Sequence, residues 1–443
     1  MTLRSGVRLI GAIVVAVVFM AAVQVPARAQ PISRLERGRV KQMLKSIGDE
    51  LKKNYYDPSF GGRDIDTHLR AAQQKIDAAT SLGHGLAIVA QALVDLNDSH
   101  TFFVPPNRTV SVEYGWRMQM VGDACLVVAV KPDSDAAAKG LKAGDQVIAI
   151  DGFPPSRAEL WKVEYTYRVL RPRTGVTLVV KSPGGSPRQL AIASKLTESR
   201  RLLDLTGGDG GLDLETFVRD TIDARPRHFR QQLQSIAIWK MPDFTFTNAD
   251  EMVDWAVGDA AALILDLRGN PGGYVKTLEQ VVGRLFDRDV KIADLKGRKT
   301  MKPMQAKKGR RAFDGRIVAL IDSRTGSAGE LLARVLQIER RGTVVGDRSS
   351  GSVMQSYGFT GQMGVERMVF YGASITNADV IMSDGKSLER VGVVPDEAVV
   401  PSAEDLAAAR DPVLARAAAL LDVALDAGAA GQLFPRRWTD EGR

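Results

Sequence analysis

Apolar residues recur at three- and four-residue spacing through Val40, Met43, Leu44, Ile47 and Leu51, which predicts a helix ending at Asn54-Tyr55-Tyr56-Asp57-Pro58. Two further helices follow over residues 64–79 and 84–96, and the three read as a small helical cap. The pattern changes at Asn97-Asp98-Ser99-His100, a polar turn feeding a short apolar strand from Phe102 to Val104. Between 110 and 192 short alternating strands and a Gly-Asp turn describe a separate compact unit, with a strand and a short helix within 124–137, a strand over 147–151 and a late strand at 177–180. Beyond it, Ile236 to Trp239, residues 261–267, Ile317 to Ile321 and Gly342 to Val345 are nearly continuous apolar runs, which predicts strands buried on both faces. Helices over 248–260 and 328–338 alternate with them, as layered α/β packing requires. A strand pair near 368–370 and 373–375 and a helix over 412–425 complete the pattern.

At 443 residues the chain is long enough for two or three domains, and 44% hydrophobic with 25% charged residues excludes a disordered or fibrous protein. Arg4 and Arg8 precede an uncharged stretch from Leu9 to Val23, and Ala27-Arg28-Ala29 supplies a small-x-small cleavage site. That stretch is shorter than the ~20 residues of a membrane-spanning helix, so residues 1–29 read as an export signal. The expected location is the periplasm or the exterior, with no stable membrane span after cleavage. Removing the signal leaves 57 Lys and Arg against 52 Asp and Glu, a mildly basic balance without the blocky tract of a nucleic-acid binder. The single cysteine, Cys125, reads as a small buried hydrophobe.

Candidate chemistry centres on Ser327, in the turn between the strand at 317–321 and the helix at 328–338. A serine there either caps the helix or acts as a nucleophile beside helix-end amides that take up negative charge. His100 sits in a turn at a sheet edge between Ser99 and Thr101, whereas His68, His84 and His228 lie in helical or basic sequence and read as solvated or structural. Cleaving an amide needs a nucleophile, a base, a group orienting the base and donors for the oxyanion. Ser327, His100 and Glu389 can fill the first three roles, and the amides of Ala328 and of the Gly272-Gly273 turn the last.

Two resemblances add to this. Ala136 to Gly152 fits the Ala-x-x-x-Gly-Leu-x-x-Gly-Asp-x-Ile-x-x-Ile-x-Gly pattern of PDZ domains, with Val147 for the first isoleucine. That likeness implies a peptide-binding unit whose carboxylate-holding loop falls at Tyr114, Gly115 and Trp116, or an internal brace without a ligand.

The chain also resembles the tail-specific or C-terminal processing (S41-type) family of serine peptidases and its tricorn-core relatives. The matching pieces are Asn54-Tyr55-Tyr56-Asp57-Pro58, Asp98-Ser99-His100-Thr101, Leu265 to Gly273, Thr325 to Glu330, Val345-Gly346-Asp347-Arg348 and Gly392-Val393-Val394-Pro395-Asp396, in the family order. One branch of the family uses a Ser–Lys dyad, but Ser352 stands where that lysine would be. The tricorn-like branch uses a serine-preceded histidine and a glutamate just before Gly-Val-x-Pro-Asp. Carried over, Ser327 attacks, His100 moves the proton, Glu389 orients His100, and Ser99 is a supporting hydroxyl. Ala328 and either Gly272 or Gly273 stabilise the oxyanion.

The resemblance implies an α/β fold with a crotonase-like (ClpP-like) spiral core over 194–401, an N-terminal helical region over 30–105, a PDZ-like insertion over 110–193 and a C-terminal helix and tail over 402–443. The expected activity is a serine endopeptidase acting on polypeptides in exported or unfolded proteins, with no metal, organic cofactor or nucleic acid, and with C-terminal peptides as partners of the PDZ-like unit. The alternative is a catalytically weak scaffold that holds peptides in that unit and in the cleft.

Overall fold

The computed structural model describes residues 31–106, 110–198, 227–364 and 369–434. The export signal expected at residues 1–29 lies outside the described residues. Among these residues no helix is long and apolar enough to cross a membrane.

Helices Arg34–Asn54, Ile65–Asp77 and Leu82–Val94 each begin on a side chain that accepts from a backbone amide, namely Ser33, Asp64 and Ser81. Their apolar stripes meet in a core that also takes Phe103, Ala373 and Ile375. The helical cap is thereby packed onto the strand that follows His100.

After β1 (Phe102–Val104) and β2 (Val110–Glu113) the chain forms a five-stranded antiparallel sheet. Its strands are β3 (Trp116–Val121), β4 (Ala124–Val130), β5 (Gln146–Ile150), β6 (Gly175–Lys181) and β7 (Arg188–Ala193), in that spatial order. The unit has its own core around Trp116, Met118, Val127, Val147 and Leu178. Cys125 lies in it, and burial pushes the thiol up to about 12, which leaves it inert. The exit strand β8 (Lys195–Glu198) pairs with β2, so the unit enters and leaves through one two-stranded stem.

The remaining strands are β9 (Phe229–Leu233), β10 (Ile236–Lys240), β11 (Ala262–Asp266), β12 (Val290–Lys296), β13 (Met304–Ala306), β14 (Arg316–Ile321), β15 (Thr343–Gly346), β16 (Met354–Met363), β17 (Val369–Met382) and β18 (Glu397–Ala398). Six form one sheet in the order β18-β15-β14-β11-β10-β9, parallel throughout except for the β9–β10 pair. It is buried on both faces with period two. Ala237, Trp239, Leu263, Leu265, Ala319 and Ile321 face one core, while Ile236, Ile238, Ile264, Val318 and Leu320 face the other. Helices Ala249–Val257, Val275–Leu285 and Ala328–Ile338 pack on the first face, and Pro412–Leu420 on the second.

The expected crotonase-like (ClpP-like) spiral core is corrected here. The second sheet of the body is antiparallel and built on the 14-residue β17, which pairs with β1, β12 and β16, with β13 beyond β12. One open parallel sheet beside one antiparallel sheet has no repeated turn for a spiral to propagate. β17 also replaces the strand pair expected at 368–370 and 373–375. Gly372 does not turn the chain, because it lies in register with Thr360 on one side and Val104 on the other.

Phe103 is fully buried three residues after the candidate base and anchors β1 between the helical cap and β17. Phe103→Ala is expected to lower unfolding free energy by about 3–5 kcal/mol, measured in urea, as for other large-to-small aromatic deletions in cores. A loss below about 1 kcal/mol would show that β1 is held by its ladder alone.

Candidate active site

Ser327 follows β14 through the turn Asp322-Ser323-Arg324-Thr325-Gly326 and occupies the N-cap position of helix Ala328–Ile338. Its backbone is left-handed, with φ 49° and ψ −119°, a conformation costing a non-glycine residue on the order of 1–3 kcal/mol. Surrounding bonds hold it there. The Ser327 amide donates to Ser352 O at 2.9 Å and to Glu330 Oε2 at 3.0 Å, and Gly326 N donates to Asn270 O at 2.8 Å.

Gly272 shows why the facing turn is glycine-rich. A Cβ there would lie 2.6 Å from Ser327 Cβ and 2.8 Å from Ala328 N, so only a bare backbone can approach Ser327 so closely. The Gly272 amide is already committed to Asn270 Oδ1 at 2.8 Å.

His100 Nε2 lies 3.4 Å from Ser327 Oγ, across 227 positions of sequence. On the other side of the ring, Nδ1 is 2.8 Å from Ser99 Oγ, which donates to Glu389 Oε2 at 2.7 Å. Glu389 also accepts from Ser99 N at 2.8 Å and Val353 N at 2.9 Å. The expected Glu389–His100 contact therefore runs through Ser99 instead of being direct. Donor counting sets the tautomer: the Ser99 proton goes to the carboxylate, so Ser99 Oγ accepts from His100 Nδ1–H, and Nε2 is left bare toward Ser327.

Burial lowers the His100 pKa below the ordinary histidine value, and the charge of Asp98 only partly offsets it. Burial likewise raises Glu389, against hydrogen bonds from Ser99 and Val353 and the charge of Arg390. The His100 turn is fixed by Asp98, whose Oδ1 accepts from His100 N at 2.9 Å, Thr101 N at 2.7 Å and Thr376 Oγ1 on β17 at 2.5 Å.

The other histidines lie elsewhere. His68 Nε2 meets the Ala92 carbonyl at 2.9 Å, and His84 sits 3.5 Å from Thr80. His228 is part-buried rather than solvated: it receives the Trp239 indole N–H at 3.1 Å, and burial lowers its pKa to about 4.

The expected peptide-binding loop lies in the inserted unit. Gly115 is left-handed at φ 73°, and a Cβ on it would meet Ser134 Cβ at 2.5 Å. Tyr114, Trp116, Met118, Val163 and Tyr167 line a groove beside the edge strand β3, and the buried Trp116 Nε1 has no hydrogen-bond partner. The nucleophile turn grips the same edge: Arg324 Nη2 donates to Met118 O at 2.6 Å and to Glu164 at 2.7 Å, Ser323 donates to Met120 O, and Gln119 donates to Asp322 at 2.7 Å.

Glu330 was not singled out from sequence, although its Ser-x-x-Glu spacing from Ser327 is a capping-box signal. It is fully buried and accepts from Ser327 N, Ser349 Oγ, Gly351 N and Ser352 N at 2.6–3.0 Å. Burial raises its pKa and these donors pull the other way. One carboxylate thus ties the nucleophile to the segment that leads to Val353 and Glu389. Among the described residues, no group of three or more His, Cys, Asp or Glu side chains is placed to hold a metal ion.

The sequence profile of peptidase family S41 matches residues 235–399, which span both the Gly272-Gly273 turn and Ser327. A carboxyl-terminal-processing protease of Synechocystis sp. is 28% identical over 279 residues, 62% of this chain and 58% of that protein. Residues 235–399 are thereby identified as an S41-type serine-peptidase region. Among solved structures, mature CPAF superposes with a TM-score of 0.61 at 16% identity over 84% of this chain and 94% of CPAF. The photosystem II D1 C-terminal processing protease gives 0.51 at 18% identity over 89% of this chain and 99% of its own. At those identities the likeness is one of fold. It replaces the spiral expectation with the half-barrel sheet and helical insertions of these proteases.

Glu330→Gln puts an amide donor against at least one of the backbone N–H groups of Ser327, Gly351 and Ser352, whichever way it is turned. It is expected to cost about 2–3 kcal/mol in urea unfolding at unchanged m value. A change under about 0.5 kcal/mol would remove Glu330 from the framework of the site.

Proposed function

We infer that this chain is a serine endopeptidase working through Ser327, with His100 as general base and acid, and with Ser99 and Glu389 as a positioning pair. The observation that carries this reading is the unbroken line of polar contacts from Glu389 through Ser99 and His100 to Ser327. The 3.4 Å approach is longer than the roughly 2.6–3.2 Å of a working hydrogen bond, within the loosening usual before substrate binds. It favours hydrolysis over the alternative of a cleft that only holds peptides.

Ser327 Oγ attacks the scissile carbonyl carbon as His100 Nε2 takes its proton. The carbonyl oxygen becomes negative and takes N–H bonds from Ala328 and Gly273. The C–N bond then breaks, with His100 returning the proton to the leaving amine, and water repeats the sequence in reverse to release the acyl group. The imidazolium formed between the two steps is stabilised by Glu389 acting through the Ser99 hydroxyl. Ser352 in place of lysine removes the competing Ser–Lys chemistry. The substrates we assign are exported or unfolded polypeptides, in the periplasm or outside the cell, as the N-terminal signal pattern suggests. The PDZ-like unit would hold a peptide C-terminus near Tyr114, Gly115 and Trp116.

A serine-directed phosphonylating reagent should add to Ser327, seen as a mass shift on the Ser327 peptide, and His100→Ala should abolish the adduct. A folded wild-type protein that stays unmodified would end the peptidase reading. Ser99→Ala should lower kcat by roughly a hundredfold while KM for a peptide substrate changes little, since it disturbs only the base.

Burial depresses His100, so its neutral, proton-accepting form persists to lower pH than for a free imidazole. The acid limb of kcat/KM should accordingly have its midpoint below the ordinary value of about 6.5. A midpoint above about 7 would show an imidazole stabilised in its charged form.

A further inference from the structure

The net charge is not spread over the chain. Residues 290–316 hold ten Lys and Arg against two Asp, a net of +8, and the whole chain also totals +8 from 60 against 52. The other residues therefore balance, at 50 against 50. Within 296–311 there are eight exposed basic residues and no acid, so the charge is blocky here, which corrects the even balance expected from the overall count.

These residues lie along the β12–β13 hairpin and the segment after it, at the end of the antiparallel sheet where β13 has a neighbour on one side only. Some of the charge is answered: Lys307 pairs with Asp289, Arg310 with Asp254, and Arg298 donates to the Tyr55 carbonyl. Among the described residues Lys296, Lys299, Lys302, Lys308 and Arg311 have no ion-pair partner.

The bland explanation is edge protection, since charged side chains on an exposed strand prevent pairing with another chain. One or two lysines do that; eight basic residues without an acid exceed the need. The stretch contains no Phe, Trp or Tyr, so it lacks the platforms on which nucleic-acid bases stack and the aromatic anchors of protein interfaces. Clustered charge on a sheet edge without aromatic residues fits an anionic surface, where each basic residue adds independently. We propose that the β12–β13 edge docks the protein, through electrostatics alone, on a bilayer rich in anionic phospholipid. None of these residues belongs to the Ser327 site, so the proposal is independent of the catalytic reading.

The test compares the full-length wild type with Lys299→Gln/Lys302→Gln/Lys308→Gln/Arg311→Gln in co-sedimentation with phosphatidylcholine vesicles, with or without phosphatidylglycerol. Both proteins carry the same N-terminal stretch, so a difference between them reports the edge. The wild type is expected to bind the anionic vesicles at about 50 mM salt and to release at about 500 mM. The variant should bind at least roughly tenfold more weakly at low salt, with unchanged cleavage of a peptide in solution and an unchanged urea midpoint. Equal binding of the two proteins, equal binding to neutral vesicles, or binding to soluble heparin without any vesicle binding would each overturn the membrane assignment.

Discussion

Glu389 and Ser99 stand 290 residues apart in sequence and share two hydrogen bonds, one from the serine amide and one from its hydroxyl. The rest of the site is arranged around that meeting. A carboxylate buried this deeply survives only if its lone pairs are filled. Ser99 and Val353 fill them, one from the helical-cap side and one from the segment after the nucleophile helix. Because the Ser99 hydroxyl has one proton and gives it to Glu389, the imidazole must turn its own N–H toward Ser99. The direction of every other proton in the line follows.

A second buried carboxylate, Glu330, does the same for the nucleophile. It gathers amides and hydroxyls from Ser327, Ser349, Gly351 and Ser352, so the helix start and the 349–352 segment cannot move separately. The backbone amides of that segment serve as a cradle for the carboxylate. The strained backbone of Ser327 persists because these bonds, and the glycine turn pressed against it, leave it no room to relax.

The inserted unit is joined to the same framework. Asp322, Ser323 and Arg324, immediately before Ser327, bond to Gln119, Met120 and Met118 on the edge of the unit's sheet. The groove expected to take peptides and the turn that carries the nucleophile therefore share a boundary of hydrogen bonds. Any occupant that pairs with that strand edge must compete with Arg324 for the Met118 carbonyl.

Local pattern alone determined much of this. Periodicity located the helices of the cap, the buried parallel strands and the 328–338 helix. The helices and strands were legible because strand length and turn chemistry are written in neighbouring residues, whereas His100, Ser99 and Glu389 were put beside Ser327 only by resemblance to an ordered motif set. Three features were decided only by the tertiary structure: the antiparallel sheet on β17 in place of a spiral, the placing of Ser99 between Glu389 and His100, and the commitment of the Gly272 amide to Asn270. Each depends on which distant groups compete for one donor or one strand edge, and that competition exists only once the chain has folded.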